Sequence, residues 1–334
     1  TLAEVRTQIY NGTPWTNNIY VDQSTAWPER QSDFVMTSAA NAQIIVGTGS
    51  THAGTANDAF TTTNGRPIDL DRLAARIDFV PDAAYLKTAA DGTIYYEYPV
   101  TDADGSPTSS KFRLKFVEPY NITQQSTLFE QSMAADATTQ APTGDVIYLG
   151  GESTESGTPC YVVDPLTLHK GNPATTADAY NAFYVALNRY NALPQNGVQL
   201  RTIYPVRQGN HANPDDAANP YYIVAYTAEN TLSVALQQSN DVRTYATGLR
   251  FFGTYVPTGE ESKAYDRAYD FDIRHRSDTA PNLDLNLPLA YGIVRNNIYR
   301  VRITSIRRTP DNFNITLQIR VVPWQRYEHG DVIM

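Results

Sequence analysis

Alternation of apolar and polar residues in the last quarter of the chain restricts its fold more than any other feature. Tyr299, Val301 and Ile303 alternate with arginine and threonine. A Thr-Pro-Asp-Asn sequence follows at 309–312, and the stretch 315–322 then alternates in the same way. A period of two residues puts one set of side chains on each face of a strand, so the pattern predicts a β-hairpin.

The first half of the chain carries the same signal twice. The apolar residues of the first stretch are Leu73, Ala75, Ile77 and Phe79, and those of the second are Phe112, Leu114 and Phe116. Both stretches predict strands with one face buried and one face in water. The segment 102–110 contains Asp-Gly and Ser-Pro, which predict a turn before the second strand.

Other segments predict fewer regular elements. The opening Thr-Leu-Ala-Glu matches a capping box and predicts a short helix at Thr1. Aromatic residues at helical spacing predict a second helix over 176–193. The stretch 125–156 has little periodicity, so we expect a long surface loop with one short strand at 146–149.

Composition and length agree with a mainly β protein containing a few short helices. The chain holds 23 Tyr, and only 18% of its residues are charged, a balance typical of strands and turns. Its 334 residues predict two domains. A polar loop before a new run of strands places the boundary near Tyr226, giving domains 1–225 and 226–334.

Net charge and cysteine content exclude several classes of function. The net charge of −9 and the pI near 5.0 argue against nucleic acid as a partner, because phosphate binding needs clustered lysine and arginine. The single cysteine, Cys160, excludes an intrachain disulfide and any Cys-based metal site. We predict no cofactor.

Candidate catalytic residues form no recognisable constellation. No two histidines share the i, i+4 spacing of a metal pair; they are His52, His169, His211, His275 and His329. Asp215 and Asp216 beside His211 could bind a cation, but the same residues are ordinary turn formers. A glycosidase would need paired carboxylates across a cleft. The candidates, which a solvated surface explains better, are Glu260, Glu261, Asp266, Asp270 and Asp272. We predict that the chain is not an enzyme.

Three segments of the chain resemble the fimbrillins, the pilus subunits of Bacteroides-like and Porphyromonas-like anaerobes. The first runs from Phe34 through the stretch 68–78, and the second pairs Glu229-Asn230-Thr231 with 244–247. The third joins Tyr291-Gly292-Ile293-Val294-Arg295-Asn296-Asn297-Ile298-Tyr299 to Val321-Val322-Pro323-Trp324 and a short tail. The segments follow the order found in that family.

The resemblance implies two transthyretin-like β-sandwich domains, the first lacking its opening strands. It also implies a structural shaft subunit of a cell-surface fimbrium, exported through the outer membrane as a lipoprotein precursor and supporting adhesion and biofilm formation. Its partners would be copies of itself, anchor and tip subunits, and host or bacterial surface ligands.

In that family the C-terminal segment of one subunit fills a groove in the next. The corresponding residues here are Pro323, Trp324, Tyr327, Val332, Ile333 and Met334. Pro323 interrupts the preceding strand. In an extended strand, Trp324, Val332 and Met334 would lie on the same face. Extended at about 3.3 Å per residue, the last twelve residues would reach roughly 40 Å. Alternatively, Trp324 caps the core of its own domain and the tail lies loose.

Two further interpretations stay open. Four arginines of the last hairpin would form a basic face for an acidic neighbour, although exposed charges are usually only solvated; they are Arg300, Arg302, Arg307 and Arg308. The chain could also be a pilus tip adhesin, with the aromatic segment 180–190 contacting glycans, or a surface glycosidase or glycan-binding lipoprotein.

Overall fold

A computed structural model describes residues 9–11, 36–38, 70–92, 94–135, 142–148, 160–186, 222–275, 290–309 and 313–323. These residues form mainly β structure in several sheets with a few short helices, which confirms the predicted fold class and is consistent with a β-sandwich. Among them, no helix is both long and apolar enough to cross a bilayer. The helix predicted at Thr1 lies outside the described residues.

Among the described residues, the largest sheet has nine strands. They are β4 (Ala75–Phe79), β5 (Leu86–Thr88), β6 (Ile94–Thr101), β7 (Pro107–Tyr120), β14 (Tyr222–Thr227), β16 (Gly248–Val256), β17 (Tyr265–Asp272), β19 (Asn297–Arg308) and β20 (Phe313–Pro323).

Smaller sheets take up the remaining strands. They are β1 (Ile9–Asn11) with β9 (Gln125–Thr127); β2 (Met36–Ser38) with β3 (Leu70–Arg72); β8 (Ile122–Thr123) with β13 (Tyr184–Ala186); β15 (Asn230–Thr231) with β18 (Gly292–Ile293); and β10 (Gln131–Ala135) between β11 (Pro142–Tyr148) and β12 (Cys160–Val163).

The order in the large sheet is β14-β4-β19-β6-β7-β16-β17, with β20 on β19 and β5 on β6. Strand β20 pairs antiparallel with β19 along its whole length. The other edge of β19 pairs in parallel first with β4 and then, at Arg307, with β6. Because β4 and β6 pair with successive parts of the same edge of β19, the sheet divides there into two arms. One arm is β14-β4, and the other is β6-β7-β16-β17.

The core lies between these two arms. Phe79 of β4 and Phe251 of β16 are fully buried, and their ring centroids lie 5.5 Å apart in an edge-on arrangement. Tyr299 and Val301 of β19 join the same cluster. The fully buried aromatic and branched side chains supply the apolar area whose removal from water stabilises the fold.

The predicted hairpin of the last block is confirmed, with an irregularity that its alternation did not reveal. Val301 and Ile303 are buried on the same face, and the register then shifts by one residue between Ile303 and Ser305. This bulge keeps Ile306 buried on the core side. The turn predicted within 102–110 is also confirmed. It closes the β6–β7 hairpin: the Asp102 N–H donates to the Ser106 carbonyl oxygen, and the Gly105 N–H donates to the Asp102 carbonyl oxygen.

The prediction that one face of strand β4 lies in water was wrong. All five residues of β4 are buried, including Arg76 and Asp78, which form an ion pair at 2.8 Å. Strand β4 has neighbours on both edges, and its second face is covered as well. A charged pair can occupy that face because the two opposite charges compensate each other.

Two element predictions also need correction. The predicted helix 176–193 is shorter: α1 (Ala177–Phe183) is capped by Thr176 and ends where Tyr184 becomes extended and begins β13. The stretch predicted as a loop with one strand instead holds β9, β10 and β11, although β11 covers positions 146–148 of the predicted strand. Two further single-turn helices are α2 (Val234–Gln237) and α3 (Val242–Tyr245).

The division into domains 1–225 and 226–334 stays a prediction. The large sheet takes β4, β6 and β7 from before residue 226 and β16, β17, β19 and β20 from after it. Strand β14 itself runs across the predicted boundary. In the described part of the chain the two segments therefore share one sheet.

Candidate functional site

Two of the three segments that resemble the fimbrillins meet in a buried polar cluster. Glu229 precedes β15, and Arg295 follows β18, the strand that pairs with β15. The Arg295 Nε donates to Glu229 Oε1 and its Nη2 donates to Glu229 Oε2, both at 2.8 Å. The Glu229 side chain is 0% exposed and the Arg295 side chain 1% exposed, so the two form a buried, bidentate ion pair. We call the cluster around it the polar junction.

The remaining donors of Arg295 hold the chain around β9. Its Nη2 also donates to the Thr127 carbonyl oxygen at 2.7 Å and to Ser126 Oγ at 2.8 Å, and Nη1 donates to the Leu128 carbonyl oxygen at 3.3 Å. One guanidinium thus joins β9, β15 and the end of β18. Only a planar group with several fixed donors can make these contacts at once.

Asn230, the next residue of the segment, anchors the other side of the junction. Its Nδ2 donates to the Tyr245 carbonyl oxygen at 2.8 Å and to Thr247 Oγ1 at 2.7 Å. The Thr247 hydroxyl donates in turn to the Asn121 carbonyl oxygen at 2.6 Å. The side chain of Asn230 therefore ties β15 to the start of β16 and to the end of β7.

Thr231 connects the junction to a buried lysine. Its N–H donates to Asp164 Oδ2 at 2.6 Å, and the same oxygen accepts from Lys170 Nζ at 2.5 Å. Lys170 also donates to Asn230 Oδ1 at 2.7 Å and to the Thr231 carbonyl oxygen at 2.8 Å. The side chains of Asp164 and Lys170 are both 0% exposed. Burial lowers the pKa of the Lys170 ammonium despite the adjacent carboxylate.

The Arg-Asn-Asn part of the third segment forms the turn from β18 into β19. Asn296 has φ 57°, a left-handed conformation that asparagine tolerates better than most residues. Its N–H donates to the Ala74 carbonyl oxygen at 2.9 Å. The tyrosine that ends the segment, Tyr299, accepts from the Val294 N–H at 2.7 Å and contacts His275 Nδ1 at 2.6 Å.

Sequence reasoning identified part of this junction and missed part. The resemblance singled out Glu229, Asn230 and Arg295 but gave no sign that they touch. Asp164 and Lys170 were missed, because a lysine in a polar turn carries no signal of burial. A lysine is rarely fully buried without a partner, so only the fold could reveal this pair.

The carboxylates considered for a glycosidase are engaged in separate contacts. Asp270 pairs with Arg250 at 2.6 Å and Glu261 with Arg113 at 2.5 Å. The remaining three contact Lys263 (Glu260), Thr254 and Lys115 (Asp266), and Tyr120 and Arg243 (Asp272). Within the described ranges, no group of three His, Cys, Asp or Glu side chains could hold a metal ion.

The histidines considered as ligands are not brought together where they are described. His169 lies exposed in the turn after β12, and His275 lies partly buried beside Tyr299. Burial lowers the pKa of His275 to about 4. The remaining histidines and the acidic pair fall outside the described residues; they are His52, His211, His329, Asp215 and Asp216.

The predicted basic face is matched by carboxylates of the same chain. Arg302 lies 3.3 Å from Asp82. Arg308 lies 2.7 Å from Asp102. Arg300 lies 3.7 Å from the buried Asp78, and Arg307 is exposed. A role for these arginines at an interface stays a prediction.

Of the predicted tail residues, the structure describes only the backbone of Pro323, which ends β20 opposite Asn297. The other five lie outside the described residues; they are Trp324, Tyr327, Val332, Ile333 and Met334. The aromatic residues proposed to contact glycans are partly used internally. Phe183 and Tyr184 are buried, and Tyr180 donates to the His169 carbonyl oxygen.

Comparisons with known proteins give distant structural likenesses. No protein-family model matches the chain, and no curated protein sequence matches it. One structure of a candidate cell adhesion protein from Parabacteroides distasonis is 16% identical, with a TM-score of 0.37; the match covers 98% of this chain and 71% of that one. A second candidate cell adhesion protein from the same species is 13% identical over 97% of this chain and 77% of that one, with a TM-score of 0.41. The tip fimbrial protein Mfa3 from Porphyromonas gingivalis is 11% identical over 78% of this chain and 55% of that one, with a TM-score of 0.30.

Proposed function

We propose that the chain is a structural subunit of a cell-surface pilus and acts by assembly, without catalysis. The observation that carries the proposal is the polar junction: two segments similar to fimbrillins meet there as a buried, two-bond ion pair. Segments that match a family by chance have no reason to complete each other's hydrogen bonds. As a subunit of this kind, the protein is exported as a lipoprotein precursor and displayed at the outer membrane.

Assembly proceeds by insertion of the C-terminal segment into a neighbouring subunit. In the part of the chain that the structure describes, strand β20 lies at an edge of the large sheet with β19 as its partner, and it leads at Pro323 into residues 324–334. Burial of Trp324, Val332 and Met334 in a neighbour would each contribute about 1.5–3 kcal/mol. Backbone pairing along the added strand would contribute about 0.5–1.5 kcal/mol per hydrogen bond.

The experiment compares three chains in a Bacteroidales strain that assembles such pili and lacks its own shaft subunit. The first is the intact chain, and the second ends at Pro323, so that β20 keeps its full pairing with β19. The third replaces Trp324, Val332 and Met334 with serine. A matched control replaces with serine three polar residues that would lie on the other face of the extended tail, Gln325, His329 and Asp331.

We expect fibres in electron micrographs, and detergent-resistant ladders on gels, from the intact chain and the control only. Fibres from the truncated chain would rule out the tail as the inserting strand. If the intact chain enters no fibre, the shaft role is wrong. The tip-adhesin role would then be tested by a search for this chain at fibre ends, and the glycan-binding role by a soluble-glycan screen.

A further inference from the structure

The buried lysine of the polar junction touches a side-chain amide as well as a carboxylate. Lys170 Nζ lies 2.7 Å from Asn230 Oδ1 and 2.5 Å from Asp164 Oδ2. Lys170 lies in the turn after β12, whereas Asn230 belongs to β15, 60 residues further along the chain. From this arrangement we propose that Lys170 and Asn230 form a covalent amide cross-link, with Asp164 as the proton acceptor.

The geometry holds the amide with its carbonyl side toward the amine. Both hydrogens of Asn230 Nδ2 are directed to other acceptors, the Tyr245 carbonyl oxygen and Thr247 Oγ1. Oδ1 and the carbon that bears it therefore face Lys170. For bond formation Nζ must leave its hydrogen bond with Oδ1, which lies near the amide plane, and approach that carbon from above the plane.

The surroundings favour the reactive forms of Lys170 and Tyr184. Burial lowers the pKa of Lys170 and so favours the neutral amine, which is the nucleophile. Burial raises the pKa of Tyr184 well above its usual value, so its hydroxyl keeps its proton. That hydroxyl lies 3.4 Å from Asn230 Oδ1 and can donate to the oxygen as negative charge develops on it.

The three groups lie in a buried site from which water is excluded. Asn230 is 1% exposed, and the ring centroid of Phe183 lies 4.8 Å from Lys170 Nζ. Water is therefore excluded from the amide carbon, and electrostatic interactions act with little screening. Asp164 is held by the N–H groups of Leu166 and Thr231, so it stays in place as it exchanges a proton with Nζ.

The atoms and charges of the step balance. Asp164 takes one proton from the Lys170 ammonium, and the freed lone pair of Nζ attacks Cγ of Asn230. The bond from Cγ to Nδ2 then breaks, and Nδ2 takes a second proton from Nζ and leaves as ammonia. The products are an amide between Lys170 and Asn230, a protonated Asp164 and one ammonia molecule, with no net change of charge and no oxidant.

The test is the intact mass of the purified, folded chain after denaturation. We expect a mass below that of the sequence by about 17 Da, the ammonia lost in the step, with no trypsin cleavage after Lys170. Tandem mass spectrometry of the digest should show a branched peptide joining Lys170 to Asn230. A mass equal to that of the sequence overturns the proposal, and so does a loss of water that maps to a bond between Lys170 and Asp164.

Variants separate the chemistry from the fold. Lys170→Arg keeps the charge but cannot form the amide, and Asp164→Asn removes the proton acceptor; we expect both to keep their full sequence mass. The matched control is Lys111→Arg, at a surface lysine paired with Glu97, which should show the same loss as the original chain. Loss of ammonia from folded Lys170→Arg would contradict the assignment. If either junction variant does not fold, the presence or absence of the branched peptide in the original chain decides whether the cross-link forms.

Discussion

Charged side chains buried in the polar junction determine how single substitutions affect this protein. Arg295 and Glu229 are both almost completely buried, whereas Arg302 and Asp82 form a pair with side chains 44% and 31% exposed. Removing one partner of a buried pair leaves the other as an uncompensated charge in a medium of low polarity. An exposed pair loses little, because water replaces the missing partner.

We therefore expect Arg295→Gln to lower the free energy of unfolding by about 3–5 kcal/mol. The matched control Arg302→Gln should lower it by less than about 1 kcal/mol. Urea denaturation followed by circular dichroism measures both values. Equal losses in the two variants would show that the junction contributes no more than a surface pair.

His275 gives the stability a dependence on pH whose sign follows from its environment. Burial depresses its pKa from 6.5 to about 4, so the folded protein binds the proton more weakly than the unfolded chain does. The contribution of neutral His275 is fully present above pH 6.5 and is lost as the pH falls toward 4. Its total is about 3 kcal/mol, by the conversion of 1.36 kcal/mol per pKa unit.

The check compares the original chain with His275→Gln in urea denaturation at several pH values. Between pH 6.5 and 4 we expect the free energy of unfolding to fall more steeply in the original chain than in the variant. Parallel curves would mean that another group controls the acid response.

At the scale of elements, one close approach in the large sheet leaves room only for glycine. A Cβ at Gly253 of β16 would lie 2.2 Å from the Arg113 carbonyl oxygen and 2.8 Å from the Phe112 ring. The register between β16 and β7 shifts at this position, between Phe252 and Gly253. The bulge thus depends on a residue with no side chain.

Gly253→Ala should lower the free energy of unfolding by about 1–3 kcal/mol, because either the strand pair or the Phe112 ring must move. A suitable control is Gly105→Asn in the β6–β7 turn, where no atom lies within 4 Å of an added Cβ and asparagine tolerates a positive φ. Its expected cost is below about 1 kcal/mol. The urea midpoints of the two variants give the comparison, and a harmless Gly253→Ala would contradict the role assigned to the bulge.

Some elements could be predicted from the sequence and others could not, for identifiable reasons. The β19–β20 hairpin was predictable because its outward residues, such as Arg302 and Thr304, face water and preserve the alternation. The burial of Arg76 and Asp78 was not, because their spacing also fits an exposed face. Helix α1 was predicted too long, since aromatic spacing does not show that Tyr184 pairs with Thr123 of β8. The junction contacts join residues far apart in sequence, and only the fold brings them together.

For the whole molecule, the shared sheet predicts cooperative unfolding. Strands from both sides of residue 226 are interleaved in the order β14-β4-β19-β6-β7-β16-β17. Neither predicted domain can complete this sheet alone, since β4 would lack β19, and β16 would lack β7. The two halves should therefore lose structure together.

We expect the full chain to unfold in one transition that coincides for tyrosine fluorescence and circular dichroism. Chains 1–225 and 226–334 expressed separately should each show no cooperative transition. An independently folded half would support two separate domains and would contradict the dependence argued here.

The position of β19 also affects how the protein can be made. Its neighbours on one edge, β4 and β6, come from the first third of the chain, and the Thr101 hydroxyl donates to the Ile306 carbonyl oxygen 205 residues away. Contacts of such long range form slowly, because a long loop must close before they stabilise anything. Until residues 297–308 leave the ribosome, β4 and the end of β6 lack their partner β19, and the nascent chain needs protection from aggregation during more than half of its synthesis.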